Sequence, residues 1–219
     1  MSYVSKTHVR HALLKMKKFH TDLNDLHERY GLSMLENTGR RNILMSSVQE
    51  EFFAEALSSS YEDVTNNGRT GEPDIFVGEL NKELECKITT PSPKGGINLQ
   101  TDYRTLQKKG NLDFLYVIAD RAFEKFVVLH YNDLNANDFT TPSASSRGKA
   151  KLTKHIAASK CNVLWGKVHS KNDIELAKLQ KKLKVCSEVA VKKKEKIVKS
   201  MNYWQTQPTN YKYEFEEVA

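Results

Sequence analysis

Residues 72–88 read EPDIFVGELNKELECKI, and this stretch decides the predicted fold. A short apolar run follows Asp74, and a second strand-like run carries Glu85, Cys86 and Lys87. Because side chains alternate along a strand, Glu85 and Lys87 project from one face and Cys86 from the other. A Leu-Asn-Lys turn predicts a hairpin that brings Asp74 level with Glu85. The sequence therefore predicts two carboxylates and one ammonium at one point.

Two carboxylates beside a lysine are typical of a site for a hard divalent cation. Mg²⁺ is held by one or two carboxylates, with water and substrate phosphate completing its octahedron. The ion lowers the pKa of bound water and neutralises charge on a phosphate. Burial of Glu85 and Lys87 in a mostly apolar strand would be costly unless they paired or bound a metal.

The surrounding sequence predicts alternating helices and strands. We expect helices over 7–30, 46–57 (capped by Ser46 or Ser47), 97–107 and 172–201, strands over 61–65, 74–78, 83–89, 114–119, 125–131 and 161–168, and a polar loop over 140–151. The apolar runs 114–119 and 125–131 suit strands that are buried on both faces. Together the elements predict a mixed α/β layer.

The pair Pro73-Asp74, followed after ten residues by Glu85-Cys86-Lys87, resembles the PD…(D/E)xK motif of a nuclease superfamily that includes type II restriction endonucleases. The family core of helix, three strands, helix and strand is similar to the order predicted over about 46–132. The resemblance implies an α/β fold with a restriction-endonuclease-like core, in which a central mixed β-sheet is flanked by helices and extra helices lie at both termini.

The same resemblance implies roles for the motif residues. Asp74 and Glu85 would ligate Mg²⁺, assisted by the backbone carbonyl of Cys86, with Mn²⁺ able to substitute. Lys87 would position the attacking water. Hydrolysis in the family leaves a 5′-phosphate and a 3′-hydroxyl.

Family members often carry a further acid on the helix before the first strand, and the resemblance implies that such a catalytic acid, here Glu50 or Glu51, assists Asp74 and Glu85 at the metal. Glu50 and Glu51 precede Asp74 by 24 and 23 residues, a spacing similar to that of junction-resolving nucleases, whereas Glu55 fits that spacing less well. Acids near a helix start are also common because they interact favourably with the helix dipole. The sequence leaves the choice among these three glutamates open.

Five residues are predicted to contact DNA. Gln100, followed by Tyr103, is similar to the Gln-and-Tyr motif of the RecB-like branch, although an amphipathic helix with Tyr103 in the core explains the pattern as well. Arg147 and Lys149 follow a serine-rich loop and could bind phosphate or reach base edges, with a solvated loop as the alternative. The other two predicted contacts are Lys151 and Lys154.

The charge distribution points to a polyanionic partner. The 219-residue chain has a formal net charge of +7. Residues 147–201 hold 16 Lys and Arg against 4 Asp and Glu, whereas residues 1–146 hold 17 against 20. A basic segment beside a metal site favours a phosphate-binding surface, although lysine-rich helices can also serve solubility alone.

Other classes of protein are disfavoured by the composition. The three cysteines are far apart without CxxC spacing, which supports neither a disulfide scaffold nor a zinc site. No stretch approaches 18 consecutive apolar residues, and the first residues lack the apolar region of a signal peptide. We therefore expect one cytoplasmic domain over 1–219, with a catalytic core at about 46–132 and a basic DNA-binding subregion at about 140–201.

These observations predict a Mg²⁺-dependent endonuclease that hydrolyses double-stranded DNA. A sequence-specific type II restriction enzyme, acting as a homodimer in restriction-modification, is the first hypothesis. A structure-selective repair or junction-resolving nuclease is the closest alternative. From another class, a non-catalytic DNA-binding module would use the same carboxylates and lysine as a structural ion-pair network.

Overall fold

The computed structural model describes residues 2–33, 37–67, 69, 72–93, 96–185, 191–206, 211–214 and 216–217. In chain order the helices and strands are α1 (Lys6–Arg29), α2 (Thr38–Ser58), β1 (Val64–Thr65), β2 (Ile75–Val77), β3 (Lys82–Thr89), β4 (Gln100–Asp102), α3 (Tyr103–Lys109), β5 (Leu112–Ala119), β6 (Lys125–Leu134), β7 (Phe139–Thr140), β8 (Lys149–Leu152), α4 (Lys154–Ser159), β9 (Asn162–Trp165), β10 (Lys167–Ser170), α5 (Lys171–Val185), α6 (Val191–Thr206), β11 (Tyr211–Glu214) and β12 (Glu216–Glu217).

A mixed sheet forms the centre of the fold. Its strand order is β1-β2-β3-β5-β6-β12, with β9 also paired to β6. The β3–β5 pair is parallel and the other pairs are antiparallel. Every residue of β5 is buried, as the continuous apolar run predicts. The predicted α/β class with a mixed, helix-flanked sheet is confirmed.

Helices α1 and α2 cover one face of this sheet. Their buried side chains form one apolar core with the strand residues that point toward them. From β3 and β5 this face receives Leu84, Cys86, Leu115 and Val117. Because side chains alternate, Glu85 and Lys87 project toward the opposite face. The helical layer therefore fixes which side of the sheet carries the charged motif.

The opposite face is covered by a smaller sheet of order β4-β8-β7 and by α3. Phe114 of β5 lies 5.7 Å, between ring centroids, from Phe139 of β7. The Tyr131 hydroxyl of β6 donates to the carbonyl of Ala157 in α4 at 3.0 Å. This second layer borders the space into which Glu85 and Lys87 project.

The predicted start of the second helix is wrong. Helix α2 begins at Thr38, where the Asn37 side chain accepts a hydrogen bond from the Arg40 backbone, whereas a cap at Ser46 or Ser47 was expected. Both serines lie inside the helix. The first turns contain the buried Arg41, whose guanidinium donates to the Arg121 carbonyl at 2.5 Å and to the Thr90 hydroxyl at 2.6 Å. A charged residue in the core gives no apolar periodicity, so the sequence pattern missed these turns.

The predicted helix over 97–107 is only partly correct. Residues 100–102 form β4, which pairs with β8. Helix α3 begins at Tyr103, and Asp102 caps it by accepting a hydrogen bond from the Thr105 backbone. The polar loop predicted over 140–151 is also wrong in part, since its last residues form β8. Short strands of a side sheet lack a period long enough to recognise in sequence.

Two predictions near the C-terminus need correction as well. The single strand expected over 161–168 is divided at Gly166 (φ +69°) into β9 and the start of β10. The single helix expected over 172–201 consists of α5 and α6, and residues 186–190 between them lie outside the described part. The basic character of both helices is as expected.

The chain forms two compact units, Met1–Gly166 with Phe215–Ala219, and Lys167–Glu214. In the second unit β10 pairs antiparallel with β11, and α5 contacts α6. The basic region predicted over 140–201 includes parts of both units. One nuclease domain over 1–219 stays a prediction. Among the described residues, no helix combines the length and the apolar character that crossing a bilayer requires.

Candidate functional site

The β2–β3 hairpin places the motif aspartate opposite the motif glutamate. Ile75 pairs with Leu84 in antiparallel register, so the preceding residue, Asp74, comes level with Glu85 as predicted. The connection closes through Asn81, which adopts a left-handed conformation (φ 50°) that asparagine tolerates. Oδ2 of Asp74 accepts a hydrogen bond of 2.7 Å from the Cys86 backbone. The aspartate is thereby fixed against β3.

The Lys87 ammonium contacts three oxygens of this hairpin. Its Nζ donates to Oε1 of Glu85 at 2.6 Å, to the carbonyl of Cys86 at 2.9 Å and to Oδ2 of Asp74 at 3.2 Å. The side chains of Asp74, Glu85 and Lys87 are 22%, 15% and 30% exposed. The structure therefore brings the predicted motif residues together in a half-buried, solvent-reachable cluster.

The electrostatics of the cluster favour the charged lysine. Burial alone would lower the pKa of Lys87, but the charges of Glu85 and Asp74, and its hydrogen bonds to both, raise that pKa above its ordinary value. Two carboxylates around one ammonium leave a net negative charge. Such a site attracts further positive charge rather than a substrate anion by itself.

The structure separates the three candidate helix acids. The pKa of Glu50 is raised to about 7, mainly because the carboxyl is partly buried. The negative charges of Asp74 and Glu85 raise this pKa further, and the positive charge of Lys87 opposes them. Glu50 is therefore electrostatically coupled to the cluster. Glu51 is exposed, and Glu55 instead forms a salt bridge with Lys15 of α1. Of the three, Glu50 is the acid placed beside the motif.

Gln49 is a residue of this region that the sequence reading missed. It is fully buried, and its Nε2 donates to the carbonyls of Lys87 at 3.4 Å and Leu115 at 3.3 Å. It thus ties α2 to β3 and β5 at the position next to Glu50. Helical spacing with the core residues Met45 and Phe53, four residues away on either side, was the signal that could have placed Gln49 inside.

Tyr116 links the cluster to the smaller sheet. It pairs with Lys87 in the parallel β3–β5 register and is buried. Burial, and secondarily the charge of Glu85, raises the pKa of its hydroxyl above the ordinary value, so the phenol stays protonated. That hydroxyl donates to the Gln100 carbonyl at 3.4 Å. Strand β4 is therefore held next to the motif strand.

Three predicted DNA contacts share the outer face of the smaller sheet. Gln100 pairs with Lys151, and Asp102 pairs with Lys149. Both lysines are exposed, whereas Ala150 between them is buried, so Gln100, Lys149 and Lys151 face away from the core. Asp102 approaches Lys149 at 3.9 Å.

The two remaining predicted DNA contacts lie next to this sheet. Arg147 is exposed in a left-handed turn (φ 51°) that leads into β8, and Lys154 is the exposed first residue of α4. All five predicted contacts therefore lie on, or directly beside, one small layer of the first unit. The structure clusters them, although they span more than fifty residues of sequence.

The described residues contain no cluster of three or more His, Cys, Asp and Glu side chains arranged to hold a metal ion. The hairpin nevertheless presents two carboxylate oxygens and one backbone carbonyl to a single cation, the Lys87 ammonium. An all-oxygen donor set is what Mg²⁺ and Mn²⁺ prefer, because hard cations favour hard ligands. Asp74, Glu85 and the Cys86 carbonyl therefore fit the predicted metal by their chemistry.

Two surface cavities lie beside the hairpin. One of about 410 Å³ lies at the turn end of β3 and includes the Lys109–Glu83 ion pair among its lining. The other, of about 220 Å³, is lined by Pro73, by Phe76 of β2 and by neighbouring polar residues. Neither cavity is lined by a predicted site residue, so neither marks the proposed chemistry.

Comparison with protein families finds no family whose model matches the chain. A search of curated proteins likewise returns no match.

Proposed function

We propose that this protein is a Mg²⁺-dependent endonuclease that hydrolyses phosphodiester bonds of double-stranded DNA. The observation that carries the proposal is the convergence of Asp74, Glu85 and the Cys86 carbonyl on the Lys87 ammonium, which marks a point where three oxygens can hold one cation. A cluster of carboxylates around a lysine can also serve stability alone. Here, however, the hairpin combines a three-oxygen cradle, partial exposure and a neighbouring acid of raised pKa, which together favour chemistry.

The residues divide the work of hydrolysis. Asp74, Glu85 and the Cys86 carbonyl would hold Mg²⁺, which lowers the pKa of water and neutralises charge on the scissile phosphate. Lys87 would orient the attacking water through its ammonium. Glu50, which is electrostatically coupled to the cluster, would accept the proton that the attacking water releases. The products would carry a 5′-phosphate and a 3′-hydroxyl.

The order of elements supports a restriction-endonuclease-like core. Helix α2 precedes β1, β2 and β3, and after a crossover that contains β4 of the smaller sheet and α3 the chain returns as β5, parallel to β3. This order is similar to the helix, three strands, helix and strand of the superfamily. Asp74 directly precedes the second of these strands, and Glu85 and Lys87 lie on the third.

The charge distribution supports DNA as the substrate. The unit that contains the motif has 22 Lys and Arg against 22 Asp and Glu, whereas Lys167–Glu214 has 12 against 5. The entire net charge of +7 therefore lies in the second unit. The exposed lysines of that unit would contribute binding to phosphates of any sequence, and Gln100, Arg147, Lys149, Lys151 and Lys154 would contact DNA in the first unit.

Within this class we propose a type II restriction enzyme of the cytoplasm that acts as a homodimer. A two-fold dimer matches the symmetry of palindromic sites. A structure-selective repair or junction-resolving nuclease is the second candidate, favoured by the spacing of Glu50 from Asp74. A DNA-binding module without catalysis would need the same contacts only for stability.

Digestion of a plasmid of known sequence with Mg²⁺, followed by mapping of the ends, tests the proposal. Discrete fragments with 5′-phosphates indicate a restriction enzyme, and cleavage of branched substrates alone indicates the repair class. Asp74→Ala should abolish cleavage, whereas Asp22→Asn, at an exposed position of α1, should cut normally. Binding without cleavage by the wild-type protein would leave the binding module as the better description.

A further inference from the structure

The Lys87 ammonium occupies the position in which the proposed metal would be held. An ammonium has three N–H donors, and those of Lys87 match the three oxygens of Glu85, Cys86 and Asp74 at 2.6, 2.9 and 3.2 Å. All of its hydrogen-bonding capacity is thus used inside the cradle. Within the part of the chain that the structure describes, Asp74 and Glu85 form ion pairs with Lys87 and with no second cation.

Mg²⁺ and this ammonium cannot occupy the cradle together. Mg²⁺ requires oxygens at about 2.0–2.1 Å in an octahedron, which places the ion at nearly the same point as the Lys87 nitrogen. An ammonium and a Mg²⁺ ion that close together would overlap and repel each other strongly. The lysine side chain has four flexible methylene groups, and it is 30% exposed, so it can rotate away without a change in the strand.

We propose that Lys87 and Mg²⁺ bind the three oxygens in alternation. In the absence of metal the ammonium holds Asp74 and Glu85 together, and metal binding displaces it from the cradle to the substrate side. This inference rests on the proposed function, because it concerns the same three oxygens. It adds that the enzyme carries an internal competitor of its own metal, so that metal affinity is set in part by Lys87.

Calorimetric titration of the DNA-free full chain with Mg²⁺ tests the competition. Lys87→Met removes the competing charge and retains the aliphatic stem, and we expect it to bind Mg²⁺ about tenfold more tightly than the wild type. Lys109→Met is the matched control, because Lys109 pairs with Glu83 of the same strand at 2.7 Å outside the cradle. Its Mg²⁺ affinity should equal that of the wild type.

The rate of amine acylation, followed by mass spectrometry, provides a second test that needs no variant. Mg²⁺ should increase labelling of Lys87 in the wild-type protein several-fold, while labelling of Lys109 stays constant. Equal Mg²⁺ affinity of Lys87→Met and wild type, or labelling of Lys87 that saturating Mg²⁺ leaves unchanged, overturns the alternation but leaves the metal site. Absence of Mg²⁺ binding to both proteins overturns the proposed metal-dependent function as well.

Discussion

The backbone N–H of Cys86 donates a 2.7 Å hydrogen bond to Oδ2 of Asp74, which fixes the aspartate of one strand against the next. The same oxygen also accepts from the Lys87 ammonium at 3.2 Å. One carboxylate oxygen therefore serves both the hairpin and the charged cluster. Structure and chemistry can be separated at this residue by the choice of substitution.

Asp74→Asn and Asp74→Ala should both abolish cleavage, but they should differ in the free energy of unfolding. The amide of asparagine keeps an oxygen acceptor for the Cys86 N–H, whereas alanine leaves that donor without a partner. We expect Asp74→Ala to lose about 1 kcal/mol more of the free energy of unfolding than Asp74→Asn. Chemical denaturation measures this difference. Equal stabilities would show that the hydrogen bond contributes nothing to the hairpin.

Removal of Lys87 should make stability depend on Mg²⁺. Without the ammonium, the half-buried carboxylates of Asp74 and Glu85 repel each other, so Lys87→Met should lower the free energy of unfolding by about 1–2 kcal/mol in the presence of a chelator. Mg²⁺ should restore more stability to this variant than to the wild type, because it binds only the folded state. Thermal unfolding with EDTA and with Mg²⁺ measures both effects. If the variant is as stable as the wild type with EDTA, Lys87 does not stabilise the pair of carboxylates.

Glu50 should make stability fall with rising pH. Its folded pKa of about 7 lies above the ordinary value of 4.5, so between these values the folded protein binds more protons than the unfolded chain. Its contribution is therefore most favourable below pH 4.5 and is lost as pH rises through 7. Glu50→Gln should be more stable than wild type by about 1 kcal/mol at pH 8, after allowance for solvent screening, and should lose this advantage near pH 4.5.

Denaturation of the Glu50→Gln variant across this pH range measures the effect. Glu51→Gln is the control, because Glu51 is exposed on the same helix. A stability difference between Glu50→Gln and wild type that does not vary with pH would rule out the coupling of Glu50 to the motif carboxylates.

Gln49 should act as a positioning residue. Replacement by leucine keeps the volume near that of glutamine but removes the donor to the carbonyls of Lys87 and Leu115. We expect a loss of about 1 kcal/mol in unfolding free energy and a weaker affinity for Mg²⁺, since the Lys87 backbone loses its link to α2. Calorimetry gives both values. Unchanged metal affinity in a destabilised Gln49→Leu variant would assign this residue to packing alone.

The outer face of the smaller sheet should contribute salt-dependent DNA affinity. If Lys149 and Lys151 contact phosphates, the double substitution to glutamine should reduce the slope of log K against log salt by about 2. Fluorescence anisotropy with a duplex at several salt concentrations measures this slope. Lys15→Gln, on α1, is the control. An unchanged slope in the double variant would remove this face from the DNA interface.

The sequence predicted the charged hairpin better than its surroundings. Alternation along two short strands and a polar turn sufficed to place Asp74 opposite Glu85, because register in a hairpin is set locally. The first helix and the buried run of β5 were predicted for similar reasons, since their apolar residues follow a strong period. The sequence pattern that predicts each of these elements lies within a few neighbouring residues.

The remaining features depend on contacts between distant residues. Arg41 can be buried because the Arg121 carbonyl and the Thr90 hydroxyl accept its hydrogen bonds. No local sequence pattern predicts these contacts. Strand β4 exists through its pairing with β8, about fifty residues later. The choice of Glu50 over Glu51 required the direction in which α2 faces the sheet, which the sequence left open.

The initial rate of supercoiled plasmid cleavage by wild type and by Glu85→Gln, at saturating Mg²⁺, decides whether this hairpin is the catalytic site. Glutamine preserves the size of the side chain and removes the charge that holds the cation. We predict Mg²⁺-dependent cleavage by the wild type, abolished by EDTA, and at least a hundredfold lower rate for the variant, about 3 kcal/mol in the barrier. Cleavage by Glu85→Gln at the wild-type rate would contradict the assignment of this hairpin as the catalytic site.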